Sequence, residues 1–113
     1  MEMSVEQMDG GVVKAILNGR LDVAGAGEID MRFSVLAGAN RAVIVDMAGV
    51  PFLASIGIRT LLLNGKAVNQ RGGKMVLLKP EASVARTLQT AGIDTLLPMF
   101  DDLDAARDAV APA

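Results

Sequence analysis

Cysteine and histidine are both absent from the 113 residues. That excludes a disulfide framework, a thiolate nucleophile, and the commonest general base and metal ligand. Tryptophan and tyrosine are also missing and phenylalanine occurs only three times, so no base-stacking surface is expected. A net charge of −2 supplies no electrostatic attraction to nucleic acid. Although 51% of residues are apolar, no unbroken apolar run approaches the ~20 residues that would cross a membrane. The opening Met1-Glu-Met-Ser-Val-Glu-Gln7 lacks the basic start and apolar stretch of a signal peptide. Neither a nucleic-acid nor a membrane partner is expected, and the expected location is cytoplasmic. Only carboxylates, lysines and hydroxyls remain as candidates for chemistry.

What is present reads as alternating strands and helices. Met3 to Met8 alternates weakly and Val12 to Leu17 is rich in β-branched residues. Asp9-Gly10-Gly11 between them predicts a β-hairpin. Asp22 then stands near the start of a helix to about Ala37, with Ala26, Ile29, Phe33 and Leu36 on one stripe and Gly38 placed to end it. Arg41 to Met47 predicts a buried strand, Ser55 to Gln70 a helix, and Lys74 to Leu78 another strand. Glu81 to Thr90 follows as a short helix and Leu96 to Phe100 as a final strand. Asp101 is placed to cap a last helix that aligns Leu103, Ala106 and Val110. The pattern implies one α/β domain over residues 1–110, a mixed sheet of four or five strands with about four helices packed on it, and a frayed tail at 111–113.

The segment from Asp46 to Leu63 is the most informative. It joins the strand Ala42-Val-Ile-Val-Asp46 to the helix that opens at Ser55. A hydroxyl there can accept from a free amide of the first helical turn. Were it phosphorylated, the same amides and the positive end of the helix dipole would stabilise the dianion. Ser55 is therefore either a cap or a switch. Along the helix, Ile58, Leu61, Leu62, Gly65 and Val68 gather on a face suited to the sheet. Ile56, Leu63 and Ala67 fall nearly opposite, rimmed by Arg59, Thr60, Asn64, Lys66 and Gln70. That second strip is either a protein-binding surface or is covered by a neighbouring loop or helix.

Catalytic signatures fail on inspection. Gly25-Ala-Gly27 is followed by Asp30 where a dinucleotide fingerprint needs glycine, and Gly65-Lys66 is preceded by Thr60 where a phosphate loop needs its first glycine. Asp101, Asp102 and Asp104 are acidic enough to touch a divalent ion, but acids are favoured in a first helical turn without one. Asp46 and Asp22 suit capping or hydrogen bonding to loop amides. No catalytic residue, cofactor or metal site is expected, and the chain is not expected to be an enzyme.

Taken in order, Gly19-Arg-Leu-Asp22, Val43-Ile-Val-Asp46, Phe52-Leu-Ala-Ser-Ile-Gly-Ile58, Arg71-Gly-Gly-Lys74 and Ala91-Gly-Ile-Asp-Thr-Leu-Leu-Pro98 give the chain a resemblance over almost its whole length. It resembles the STAS-domain anti-sigma factor antagonists of bacteria. The resemblance implies a sheet covered by helices largely on one face. It also implies that Ser55 occupies the phosphoserine position. The partner would be an anti-sigma factor, commonly a serine kinase, which is bound before phosphorylation and released after it. A PP2C-type phosphatase would restore binding. The implied partner-binding residues are Ala54, Ile56, Gly57, Arg59, Thr60 and Leu63, with Asp22 beside them. Two positions depart from well-characterised members, which carry an acid before the phosphoserine and Ser or Thr after it: here Ala54 and Ile56 remove one charge and one hydroxyl that a kinase reads. Two alternatives stay open. One is a STAS accessory subunit of a lipid or solute ABC transport complex, and the other is a nucleotide-binding domain.

Overall fold

In the computed structural model, which describes residues 1–111, the chain opens with the expected hairpin. β1 (Glu2–Gln7) and β2 (Val12–Asn18) pair antiparallel around a single turn at Asp9–Gly11. Both glycines of that turn have φ near +80°, a region a Cβ disfavours. β3 (Ala42–Gly49), β4 (Lys74–Leu78) and β5 (Met99–Phe100) then add in parallel, giving the order β1-β2-β3-β4-β5. The crossovers are α1 (Val23–Ala39), α2 (Ser55–Gln70) and α3 (Ala82–Thr90), and α4 (Leu103–Val110) closes the chain. Strand order advances in one direction, so crossovers of one hand place their helices on one face. Residues of α1, α2 and α3 share one apolar cluster with Val43, Val45, Met75 and Leu77. Among the described residues α4 crosses to no further strand. It covers the opposite face, where Ala106 and Val110 meet Ala42, Ile44, Val76 and Leu78. β3 and β4 are thus covered on both sides, which is why Ala42 to Val45 reads as an unbroken apolar run.

The structure corrects four local expectations. Helix α1 passes through the exposed Gly38 and stops at Asn40, whose side chain donates to the Leu36 carbonyl at 2.9 Å. The Arg71 guanidinium, from the end of α2, covers the Ala37 and Asn40 carbonyls. The last strand is only Met99–Phe100, because Ile93–Thr95 forms a tight turn and Pro98 has no N–H to give a ladder. Pro98 still accepts from Leu77 at 2.9 Å. Asp102, not Asp101, caps α4, accepting from the Ala105 amide at 3.2 Å. In α2 the buried face is turned toward Thr60 and Asn64, leaving Ile58 and Leu62 half-buried. Pro112 and Ala113 of the expected tail lie outside the described residues. Among the described residues, no helix is long and apolar enough to cross a membrane.

Candidate functional site

The loops leaving β2 and β3 at their C-terminal ends are tied together by two backbone hydrogen bonds. Leu21 donates to the Phe52 carbonyl and Ala54 donates to the Leu21 carbonyl, each at 3.0 Å. This one-residue bridge between Leu21 and Leu53 sets the starts of α1 and α2 side by side. Asp22 is the N-cap of α1 and accepts from the Gly25 amide at 2.8 Å. That hydrogen bond, helped by the Arg20 guanidinium, holds its carboxyl below the ordinary range against the opposing effect of desolvation. Arg20 Nε lies 3.4 Å from Asp22 Oδ2, and its guanidinium stacks 4.2 Å from the centre of the Phe52 ring. Asp46, by contrast, accepts from the Ala48 amide at 3.0 Å, two residues further along its own strand.

At the start of α2 the N-cap is Ala54, with extended φ and ψ of −92° and 168°. Its carbonyl accepts from Gly57 at 2.9 Å and from Ile58 at 3.1 Å. Ser55 is the first helical residue, so of the two readings of this serine the cap is overturned. Its side chain is exposed and, among the described residues, has no hydrogen-bond partner. The Ser55 and Ile56 amides are likewise without an acceptor among the described residues, as the first turn of a helix leaves them. The result is a free hydroxyl above two free amides at the positive end of a helix.

The exposed strip on α2 is present but narrower than expected. Ile56 is 39% exposed and Leu63 is 53% exposed, and the exposed Arg59 stands with them on the outer face. Gly57 and Thr60 lie beneath this surface. Thr60 donates its hydroxyl to the Ile56 carbonyl at 3.1 Å, and Asn64 donates to the Thr60 carbonyl at 2.8 Å. A Cβ on Gly57 would come within 2.6 Å of the Leu21 carbonyl oxygen, so glycine lets the two loops meet. Ala54 and Asp22 are half-buried at the rim. Sequence reasoning missed Arg20 and Phe52 as a stacked pair. Each fell within a quoted motif, but only the long-range bridge brings the two motifs together.

Chemically the site presents an exposed hydroxyl and does not activate it. No general base touches Ser55 among the described residues, as a serine nucleophile would require. Among the described residues no group of three carboxylates, or of other metal-ligating side chains, is gathered to hold a metal.

Comparison with known proteins agrees with this fold. Residues 4–106 match the family profile of the STAS domain. BtrV of Bordetella bronchiseptica, provisionally named an anti-sigma factor antagonist, is 25% identical over 110 residues, spanning 96% of this chain and 94% of its own. A crystal structure from Thermotoga maritima, provisionally named in the same way, superposes with a TM-score of 0.88 at 19% identity, covering 97% of this chain and 95% of its own. The anti-sigma factor antagonist SpoIIAA in its unphosphorylated form matches with a TM-score of 0.72, and the Bacillus cell fate determinant SpoIIAA in its phosphorylated form with 0.73, both at 20% identity. These cover 96% of this chain, and 96% and 99% of the SpoIIAA chains.

Proposed function

Since the chain belongs to the STAS domain family, we propose that it is an anti-sigma factor antagonist, switched off by phosphorylation of Ser55. The observation that carries the reading is the free Ser55 hydroxyl at the helix start, beside the exposed Ile56 and Leu63. Unphosphorylated, the protein binds an anti-sigma factor through Ile56, Arg59 and Leu63, with Ala54 and Asp22 at the rim. Gly57 and Thr60 support that surface from below. The partner is a serine kinase that transfers the phosphoryl group of ATP to the Ser55 oxygen, and a PP2C-type phosphatase removes it. Phosphorylation adds about −1.5 to −2 charges at neutral pH. The free Ser55 and Ile56 amides and the helix dipole are suited to that charge, so the domain keeps its shape. The near-equal match to both forms of SpoIIAA supports a switch that leaves the fold in place. Release comes instead from charge and bulk placed against an apolar contact. Ala54 and Ile56 leave the kinase to recognise the serine without a neighbouring acid or second hydroxyl.

The test incubates the protein with its cognate anti-sigma kinase and ATP, maps phosphate by mass spectrometry, and measures affinity before and after. Phosphate on Ser55 with a loss of affinity is expected. Ser55→Ala keeps binding, takes up no phosphate, and changes stability by no more than about 0.5 kcal/mol, because no cap is lost. Phosphate on another residue, or unchanged affinity after modification of Ser55, overturns the switch. Capture of an ABC-type ATPase in place of the kinase favours the transport-subunit reading, which Ile56 at the second hydroxyl position supports.

A further inference from the structure

We propose that Arg59 is the counter-ion of phosphorylated Ser55: its guanidinium folds back along α2 onto the phosphate and in doing so leaves the face offered to a partner. The inference rests on Ser55 being the modified residue, and it names the side chain that holds the phosphate.

Helix geometry brings the two side chains together. Ser55 and Arg59 stand at i and i+4 within the helix Ser55–Gln70, and both are exposed. Side chains so spaced are neighbours, with Cβ atoms about 5–6 Å apart. Helical Cα–Cβ bonds tilt toward the N-terminus, and long side chains lie back over the preceding turn. Arg59 is therefore placed to reach toward Ser55. The order is also the favourable one, since an anion N-terminal to a cation at this spacing does better than the reverse.

Charge singles out Arg59. Helix α2 contains no aspartate or glutamate, although the chain carries 13 acids. Among the described residues Arg59 makes no ion pair. Arg20, on the loop beside the helix start, is already engaged by Asp22 and the Phe52 ring. Lys66 stands about 16 Å further along the axis from Ser55. A phosphate brings about −1.5 to −2 charges and three acceptor oxygens. The planar fork of a guanidinium matches two such oxygens at once. Before modification the hydroxyl carries no charge to draw it. Arg59 then lies between the exposed Ile56 and Leu63, three residues after one and four before the other. Phosphorylation thus takes a cation out of this strip as well as setting an anion beside it.

The test uses the full chain with phosphoserine inserted at position 55 during synthesis. It needs no kinase, so its outcome is separate from that of the switch itself. Phosphorus NMR follows the second ionisation of the phosphate, which lies near about pH 6 without a counter-ion. In the otherwise wild-type chain it is expected at least about 0.3 pH unit lower than in Arg59→Gln, a gap that closes in about 1 M salt. Arg59→Lys recovers part of the gap, because an ammonium lacks the fork. Arg20→Gln moves the ionisation less than Arg59→Gln does, and circular dichroism checks that each variant keeps the fold. An ionisation indifferent to Arg59→Gln, or more sensitive to Arg20→Gln, overturns the pairing. Affinity for the anti-sigma factor reads the withdrawal. Phosphorylation is expected to weaken binding by a smaller factor in Arg59→Gln, where that cation is already gone, than in the wild type. An equal or larger factor in the variant overturns it.

Discussion

At Gly57 one hydrogen atom in place of a methyl decides whether the two loops of the site can touch. An added Cβ would lie 2.6 Å from the Leu21 carbonyl oxygen, 2.7 Å from Leu21 Cγ and 2.9 Å from Leu53 Cδ1. Alanine offers up to about 1 kcal/mol of helix propensity, but overpacking against fixed backbone costs about 1–3 kcal/mol. Gly57→Ala is therefore expected to destabilise the protein by about 1–2 kcal/mol, read from the urea midpoint, and to disturb partner binding by shifting Ser55. A variant as stable as the wild type would show that the Leu21–Leu53 bridge gives way easily. The same bridge explains what the sequence left open at Ser55. The Ser55–Gln70 helix was legible from its pattern, but whether the serine caps it depends on the dihedral angles of Ala54. Those are fixed by a hydrogen bond to Leu21, a tie between residues far apart in sequence. A reading of neighbouring residues has no access to it.

Among the elements, α2 carries both the core contact and the proposed interface. Periodicity separated two apolar strips and correctly left Ile56 and Leu63 outside. It misjudged the direction of the buried face because it treats Thr60 and Asn64 as polar. Both satisfy themselves on carbonyls one turn back, which lets them be buried. α2 also leans on α1, and the Arg71 guanidinium joins the ends of the two helices, so its inner face is set by a helix as well as by the sheet. Leu63→Asp should change the unfolding free energy by no more than about 0.5 kcal/mol, as exposed substitutions usually do. Partner affinity should fall at least about tenfold, as loss of a central apolar anchor does. Calorimetric titration against the anti-sigma factor, paired with a denaturation curve, separates the two effects. A large loss of stability with intact binding would reassign Leu63 to the core.

For the whole molecule, the mixed sheet and the four helices were legible because strand runs and helical stripes alternate cleanly. The short β5 was not, since Leu96 and Leu97 have the composition of a strand but precede a proline that cannot join the ladder until its own carbonyl. Acid stability of the fold should carry the signature of Asp22. Its pKa is lowered in the folded state, so its contribution is fully present above the unfolded value near 3.8 and is lost as pH falls through the lower folded value. Asparagine can still accept from Gly25 but does not titrate. The gap in urea midpoint between wild type and Asp22→Asn should be widest near neutrality and close below pH 3.8. Parallel curves across that range would mean that the carboxylate charge adds nothing to the cap. Chain order is also synthesis order. As β3 and β4 leave the ribosome, α1 and then α2 are at hand to cover one side of the sheet. Ile44, Val76 and Leu78 on the other side wait for α4, the last helix. A nascent chain paired through β5 thus carries a finished sheet with one bare apolar side, the state most open to aggregation and to capture by a chaperone, until α4 emerges and docks.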